Sequence, residues 1–158
     1  MLTVHSTEVS PVLVVMVGTR VCAFPLHHVV ETMRPLPIIP VAGTPCFVRG
    51  VSIIRGKPTP VVDLKVLLEK SENSPNYGRF VTLKFDDRLV VIGVDSVVGL
   101  RSLDLAQMRE QPPLLRYVNA DIIESIGTCD EQLLLLLRAA SILTDDVWET
   151  IKMAEALP

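Results

Sequence analysis

Apolar residues in this chain come in short runs, and Gly, Pro, Asn or Asp closes nearly every one. The runs are rich in Val, Ile and Leu, which fit the pleated surface of a strand, and their spacing predicts a small barrel or sandwich. Residues 12–17 and 21–24 flank Gly18-Thr19-Arg20, a three-residue hairpin connection. Residues 51–54 and 60–64 pair across 55–59. Further on, 80–85 turns at Asp86-Asp87 into 89–94, with Val97-Val98 beyond, and 122–126 and 132–137 flank a turn at 127–130. The leucine run at 133–137 has no diagnostic period and is read as strand because a turn precedes it.

Helical signals are few. The segment LHHVVETM (26–33) places Leu26, Val29, Val30 and Met33 at helical spacing, which predicts one or two helical turns before Pro35, Pro37 and Pro40 forbid regular structure. A short helix follows Asp63, whose carboxylate is placed to accept backbone N–H bonds at its start. A last helix runs over 145–156, capped by Thr144 and favoured by Asp145 and Asp146 at the positive end of its dipole. Trp148 and Ile151 give it one apolar face to dock on a lobe. The polar stretch EKSENSPNYGR (69–79) reads as the boundary between two β lobes, 11–70 and 79–143, with 1–10 a flexible tail and 144–158 the terminal helix. No residue-level repeat relates the lobes.

Composition excludes several functions. Hydrophobic residues make up 49% of the 158, enough for a sizeable core. Fifteen Lys+Arg against eighteen Asp+Glu leave a net charge of −3, and no basic cluster exceeds a pair, so the footprint of a nucleic-acid binder is missing. Aromatics, at 4%, are too few for base stacking or for the aromatic-lined groove of a peptide-binding SH3-like module. The first ten residues lack the pattern of a secretory signal, and the longest apolar runs are too short to span a bilayer. A soluble intracellular protein is expected. Cys22, Cys46 and Cys129 are odd in number and widely spaced, matching neither a zinc set nor a C-x-x-C pair, and are expected to be buried, reduced thiols.

The search for catalysis returns almost nothing: no G-x-S-x-G, no glycine-rich phosphate loop, no H-E-x-x-H. His27 and His28 are adjacent and cannot both face one ligand. Cys46 with His28 is conceivable as a nucleophile pair, but its flanks, TPCFV, read as a packed segment rather than an electropositive, accessible site. No metal, cofactor or catalytic residue is assigned. Charges inside apolar segments are more informative. Glu31 in VVETM and Arg55 in SIIRGK would be partly desolvated if their neighbours pack, and pairing them offsets that cost. The alternative is that both point outward.

Taken together, VCAFPLHHVVETMRP (21–35), IPVAGTPCF (39–47) and VRGVSIIRGKPTPVVDL (48–64) closely resemble the CheW-like domain family of bacterial chemotaxis coupling proteins. LVVIGVDSV (89–97) and 122–137 resemble its later strands, so the likeness covers about 12–143. It implies two small five-stranded SH3-like β-barrels packed side by side, with short helices, and a non-catalytic adaptor without cofactors. The implied partners are the regulatory domain of a CheA-type histidine kinase and the cytoplasmic tip of a chemoreceptor. The implied place is the cytoplasm, at receptor arrays under the inner membrane, with the free protein monomeric. Glu31 and Arg55 match the family's interacting acid and arginine, Val29 an apolar position near the receptor-facing surface, and Gly50, Gly56 and Asp63 structural turn positions. Ile53 stands where the family usually has Asn, which bears on partner choice. The same resemblance fits an adaptor of a chemosensory pathway that controls gene expression or surface behaviour.

Overall fold

The structure, a computed structural model, describes residues 9–69, 76–109 and 122–155. Among them are ten strands: β1 (Val9–Val17), β2 (Arg20–Pro25), β3 (Val29–Met33), β4 (Val48–Ile54), β5 (Lys57–Asp63), β6 (Arg79–Phe85), β7 (Arg88–Val94), β8 (Ser96–Asp104), β9 (Ile123–Cys129) and β10 (Gln132–Leu137). Two α-helices, α1 (Leu64–Glu69) and α2 (Asp145–Glu155), complete the described elements with three short 3-10 turns.

The strands form two five-stranded sheets, β3-β6-β7-β5-β4 and β8-β1-β2-β10-β9. Each closes through one residue outside its strands. Ile39 exchanges backbone bonds of 2.7 and 2.8 Å with Val51 of β4, and Arg109 exchanges bonds of 2.9 and 2.7 Å with Ile126 of β9. The result is the expected pair of SH3-like barrels, but the lobes do not follow the chain as expected. The first barrel is the continuous run β3 to β7, whereas the second joins β1 and β2 to β8, β9 and β10. The 69–79 boundary is therefore wrong: that stretch links α1 to β6 within the first barrel, and its residues 70–75 lie outside the described residues. The two outer edges of the β1–β2 hairpin find β8 and β10, one antiparallel and one parallel, through long-range pairing that no local signal carries. Val9 and Ser10 belong to β1 rather than to a tail, while 1–8 and 156–158 also lie outside the described residues.

The barrels repeat one another in hydrogen-bond register. The first strand of each carries an extra residue, Val30 in β3 and Val98 in β8. The second strand of each carries another, Arg49 in β4 and Glu124 in β9. The N–H of Asp63 donates to Phe47 O at 2.7 Å, and at the matching place Arg138 donates to Ile122 O at 2.6 Å. The turns after these second strands, Arg55-Gly56 and Asp130-Glu131, both have two residues at positive φ, as a type I′ hairpin requires. Side chains at matching places differ freely, which is why the residues show no repeat.

Local expectations are met with tighter geometry. Val17 pairs with Arg20 and Ile54 with Lys57, so both hairpins turn in two residues. The segment 26–33 holds only one 3-10 turn, Leu26–His28, before β3. β-branched Val29, Val30 and Thr32 fit a strand better than a helix, and pairing with β6 decides the outcome. Leucines 133–137 are strand, as read.

Most strands are apolar on both faces, which explains their unbroken runs. In the second barrel, Val12, Val14, Val21, Ala23, Leu134 and Leu136 fill the interior. The alternate residues Leu13, Val15, Cys22, Phe24, Leu135 and Leu137 join Val62, Val81, Leu83, Val90 and Ile92 of the first barrel in one larger cluster between the barrels. Val147 and Ile151 of α2 enter the same cluster. Phe85 meets Trp148 edge-on at 6.2 Å, and the Arg88 guanidinium lies 5.2 Å from the Trp148 ring. In this way the last helix clasps the first barrel although it follows the second.

Candidate functional site

Arg55 and Gly56 occupy the tip of the β4–β5 hairpin at φ 50° and 80°. Gly56 takes this backbone without strain, but for an arginine the left-handed region costs on the order of 1 kcal/mol. Its side chain reaches Glu31 in β3, just past the extra residue Val30. Nη2 donates to Oε2 at 2.8 Å and Nε to Oε1 at 3.3 Å, a two-pronged guanidinium–carboxylate pair. Of the two readings left open by the sequence, pairing is what forms, and desolvation reaches only one partner: the Arg55 side chain is 78% exposed, whereas that of Glu31, at 27%, is partly buried. The hydrogen bonds from Arg55, chiefly, hold the Glu31 carboxyl below its ordinary range.

The other nominated residues fall elsewhere. Ile53 points outward from β4 and is 48% exposed, so no burial accounts for an aliphatic side chain there. Gly50 is not a turn residue but stands in β4 beside the extra residue Arg49, at φ 139°. A Cβ there would collide with the Ile39 carbonyl, so glycine is what lets the closing segment approach. Asp63 ends β5, about 20 Å from the Arg55 tip at ~3.3 Å per residue. It does start α1 as expected: Oδ1 accepts the Val66 N–H at 3.0 Å, while Oδ2 accepts the Tyr77 hydroxyl at 2.8 Å and Arg49 Nη2 at 3.4 Å. Burial and this bond to Asp63 push the Tyr77 phenol above its ordinary 10. Neither Tyr77 nor Arg49 stands out in the sequence, because their bond to Asp63 is made only by the fold.

Val29 is half-buried and packs on the cluster between the barrels, and so does Val97 at the matching place in β8. Each is followed by an exposed valine, Val30 at 51% and Val98 at 43%. Both barrels thus present the same apolar step at the margin of their shared core, extended in β8 by exposed Leu100 opposite Leu13. Sequence points to Val29 alone of these. An extra residue in a strand turns a side chain outward, and strand alternation does not foretell it.

The three cysteines are free, but only Cys22 is buried. Burial pushes its thiol up to about 12. Cys46, expected in the core, is exposed; Phe47 beside it packs against the shared core instead. His28 Nδ1 faces the Lys84 carbonyl at 3.1 Å, and its ring lies tilted against that of His27 with 4.0 Å between centroids. Among the described residues no three His, Cys, Asp or Glu side chains group as metal ligands, and no helix is long and apolar enough to cross a membrane.

Two SH3-like barrels on a common core, with a charged latch at a hairpin tip and apolar steps at the barrel margins, define a protein-interaction module. The family model described as "CheW-like domain" matches residues 11–147, and the chain belongs to that family. It is 30% identical over 107 residues to the chemotaxis protein CheW of Klebsiella aerogenes, a match covering 67% of this chain and 64% of that one. To CheW of Helicobacter pylori it is 24% identical over 131 residues, covering 82% and 79%. To protein FrzA of Myxococcus xanthus it is 32% identical over 98 residues, covering 61% of each. The crystal structure of the scaffolding protein TtCheW from Thermoanaerobacter tengcongensis shares the fold, with a TM-score of 0.74 at 19% identity over 88% of this chain and 90% of that one.

Proposed function

We propose that this chain is a non-catalytic coupling adaptor of chemotaxis-type signalling, binding the regulatory domain of a CheA-type histidine kinase and the cytoplasmic tip of a chemoreceptor. It acts in the cytoplasm at receptor arrays, needs no cofactor and is monomeric when free. Holding kinase and receptor together raises their effective concentration and lets a receptor shift bias the kinase. The carrying observation is the Glu31–Arg55 latch, formed by the two residues that match the family's interacting acid and arginine and standing exposed at one end of the first barrel. The apolar steps at Val29-Val30 and Val97-Val98 give the receptor segment a surface at the barrel margin.

A pull-down with receptor and kinase fragments tests the reading. Arg55→Glu should weaken the ternary complex, and Glu31→Arg added to it should restore part of the binding. Equal capture of the wild type and Arg55→Glu would remove the latch from the interface. A second reading keeps the same contacts in a chemosensory pathway with an output other than swimming. The chain is as similar in identity to protein FrzA as to the Klebsiella CheW, and the genes neighbouring this one separate the two readings.

A further inference from the structure

We infer that a recess between the end of β3 and the start of β6 seats an acidic side chain of the docked receptor segment, held by Arg34 and Arg79; this rests on the coupling reading above. The register that pairs Met33 with Phe80 sets Arg34 opposite Arg79. Like charges facing each other across a strand pair are unfavourable. Both side chains are exposed, and neither has an ion pair among the described residues. They line one open recess of about 680 Å³ with Pro35, Gly78, Asp95 and Val97. Among the described residues Asp95 is the single acid on that lining, and its Oδ2 already accepts the Gly18 N–H at 2.6 Å. The recess therefore keeps excess positive charge, in fork-shaped groups suited to a carboxylate.

Its position selects the occupant. Val97 belongs both to this recess and to the apolar step on the shared core. A free anion would use only the arginines, whereas a protein segment carrying Asp or Glu beside an apolar residue satisfies both surfaces at once. Gly78 has no room for a Cβ against the Asp95 backbone carbonyl, so main chain is packed closely along this lining.

The test uses Arg34→Glu in the full chain. It removes half of the positive charge and creates a cross-strand pair with Arg79. The free protein should then melt at an equal or higher temperature, while affinity for a purified receptor-tip fragment falls tenfold or more at low salt. Arg34→Gln and Arg79→Gln should each weaken binding a few-fold and flatten its salt dependence, with binding to the kinase regulatory domain unchanged. If the wild type binds the receptor fragment and Arg34→Glu binds within twofold with the same salt dependence, the recess assignment is overturned and the coupling reading stands. If the wild type binds no receptor fragment, the coupling reading itself fails.

Discussion

Replacing Asp63 by alanine should destabilise the protein by about 3 kcal/mol, because three donors converge on one carboxylate whose side chain is 4% exposed. Loss of the cap on α1 costs about 1 kcal/mol. The short bond from the Tyr77 hydroxyl, with a charged acceptor, contributes about 1.5–3 kcal/mol. Arg49, at 3.4 Å and 27% exposed, adds under about 0.5 kcal/mol. Urea unfolding of Asp63→Ala, Tyr77→Phe and the double variant measures this directly. Tyr77→Phe alone should cost about 1.5–3 kcal/mol and almost nothing once Asp63 is gone, since one bond cannot be lost twice. Asp63→Asn keeps a capping oxygen and should fall between. The tyrosinate absorbance of Tyr77 should also titrate lower in Asp63→Ala, though not fully to 10, since burial is the larger cause of its shift. A loss below about 1 kcal/mol for Asp63→Ala, or additive effects of the two substitutions, would refute the account.

Gly50→Ala should cost more than about 3 kcal/mol, by forcing a Cβ onto the Ile39 carbonyl at a φ that L residues avoid, whereas Gly56→Ala meets open space and should cost about 1 kcal/mol; thermal melts compare them. Thr82→Val should leave stability unchanged or raise it by up to about 1 kcal/mol in urea unfolding, because the buried Thr82 hydroxyl has no partner among the described residues and Val14 fills the matching place in the second barrel. In Arg55→Ala the Glu31 carboxyl should titrate back up toward 4.5 by carbon-detected NMR. Its folded pKa lies below the unfolded one, so what this pair contributes to stability is present above pH 4.5 and lost as pH falls through the depressed value. Because the largest buried cluster spans both barrels, circular dichroism and Trp148 fluorescence should report coincident unfolding, and a fragment of residues 26–95 should not fold alone; independent melting of that fragment would contradict this.

What was legible in the sequence is what short-range chemistry decides. Hairpins announced by Gly18-Thr19, Arg55-Gly56 and Asp86-Asp87 form where expected, because a turn residue and its flanking β-branched runs are neighbours in the chain. The partners of those hairpins were not legible. β1 and β2 are completed by β8 and β10, over seventy residues later, and a run apolar on both faces does not say which face meets which barrel. Cys46 was misplaced for a related reason: apolar neighbours imply burial only when the backbone is regular, and here it turns through a proline-rich crossing that packs Phe47 against the core instead. In the site, Glu31 and Arg55 were found because charges inside apolar runs demand an explanation. Arg34 and Arg79 stand at run ends, where a charge demands none, and only the strand register brings them face to face.

The second barrel is a control built into the chain for the first. It closes by the same registers, with extra residues at the same places and a hairpin tip in the same left-handed region, yet Gly99 stands where the first has Glu31 and Asp130 where it has Arg55. Closing such a barrel therefore requires no ion pair at that end. Nor does the turn favour arginine: Asn, Asp or Gly holds the left-handed position with less strain. With the guanidinium 78% exposed, packing does not account for the arginine either. What remains is what it presents, a positioned guanidinium with its carboxylate beside an outward-facing isoleucine, and that supports a role in contact with a partner rather than in the fold.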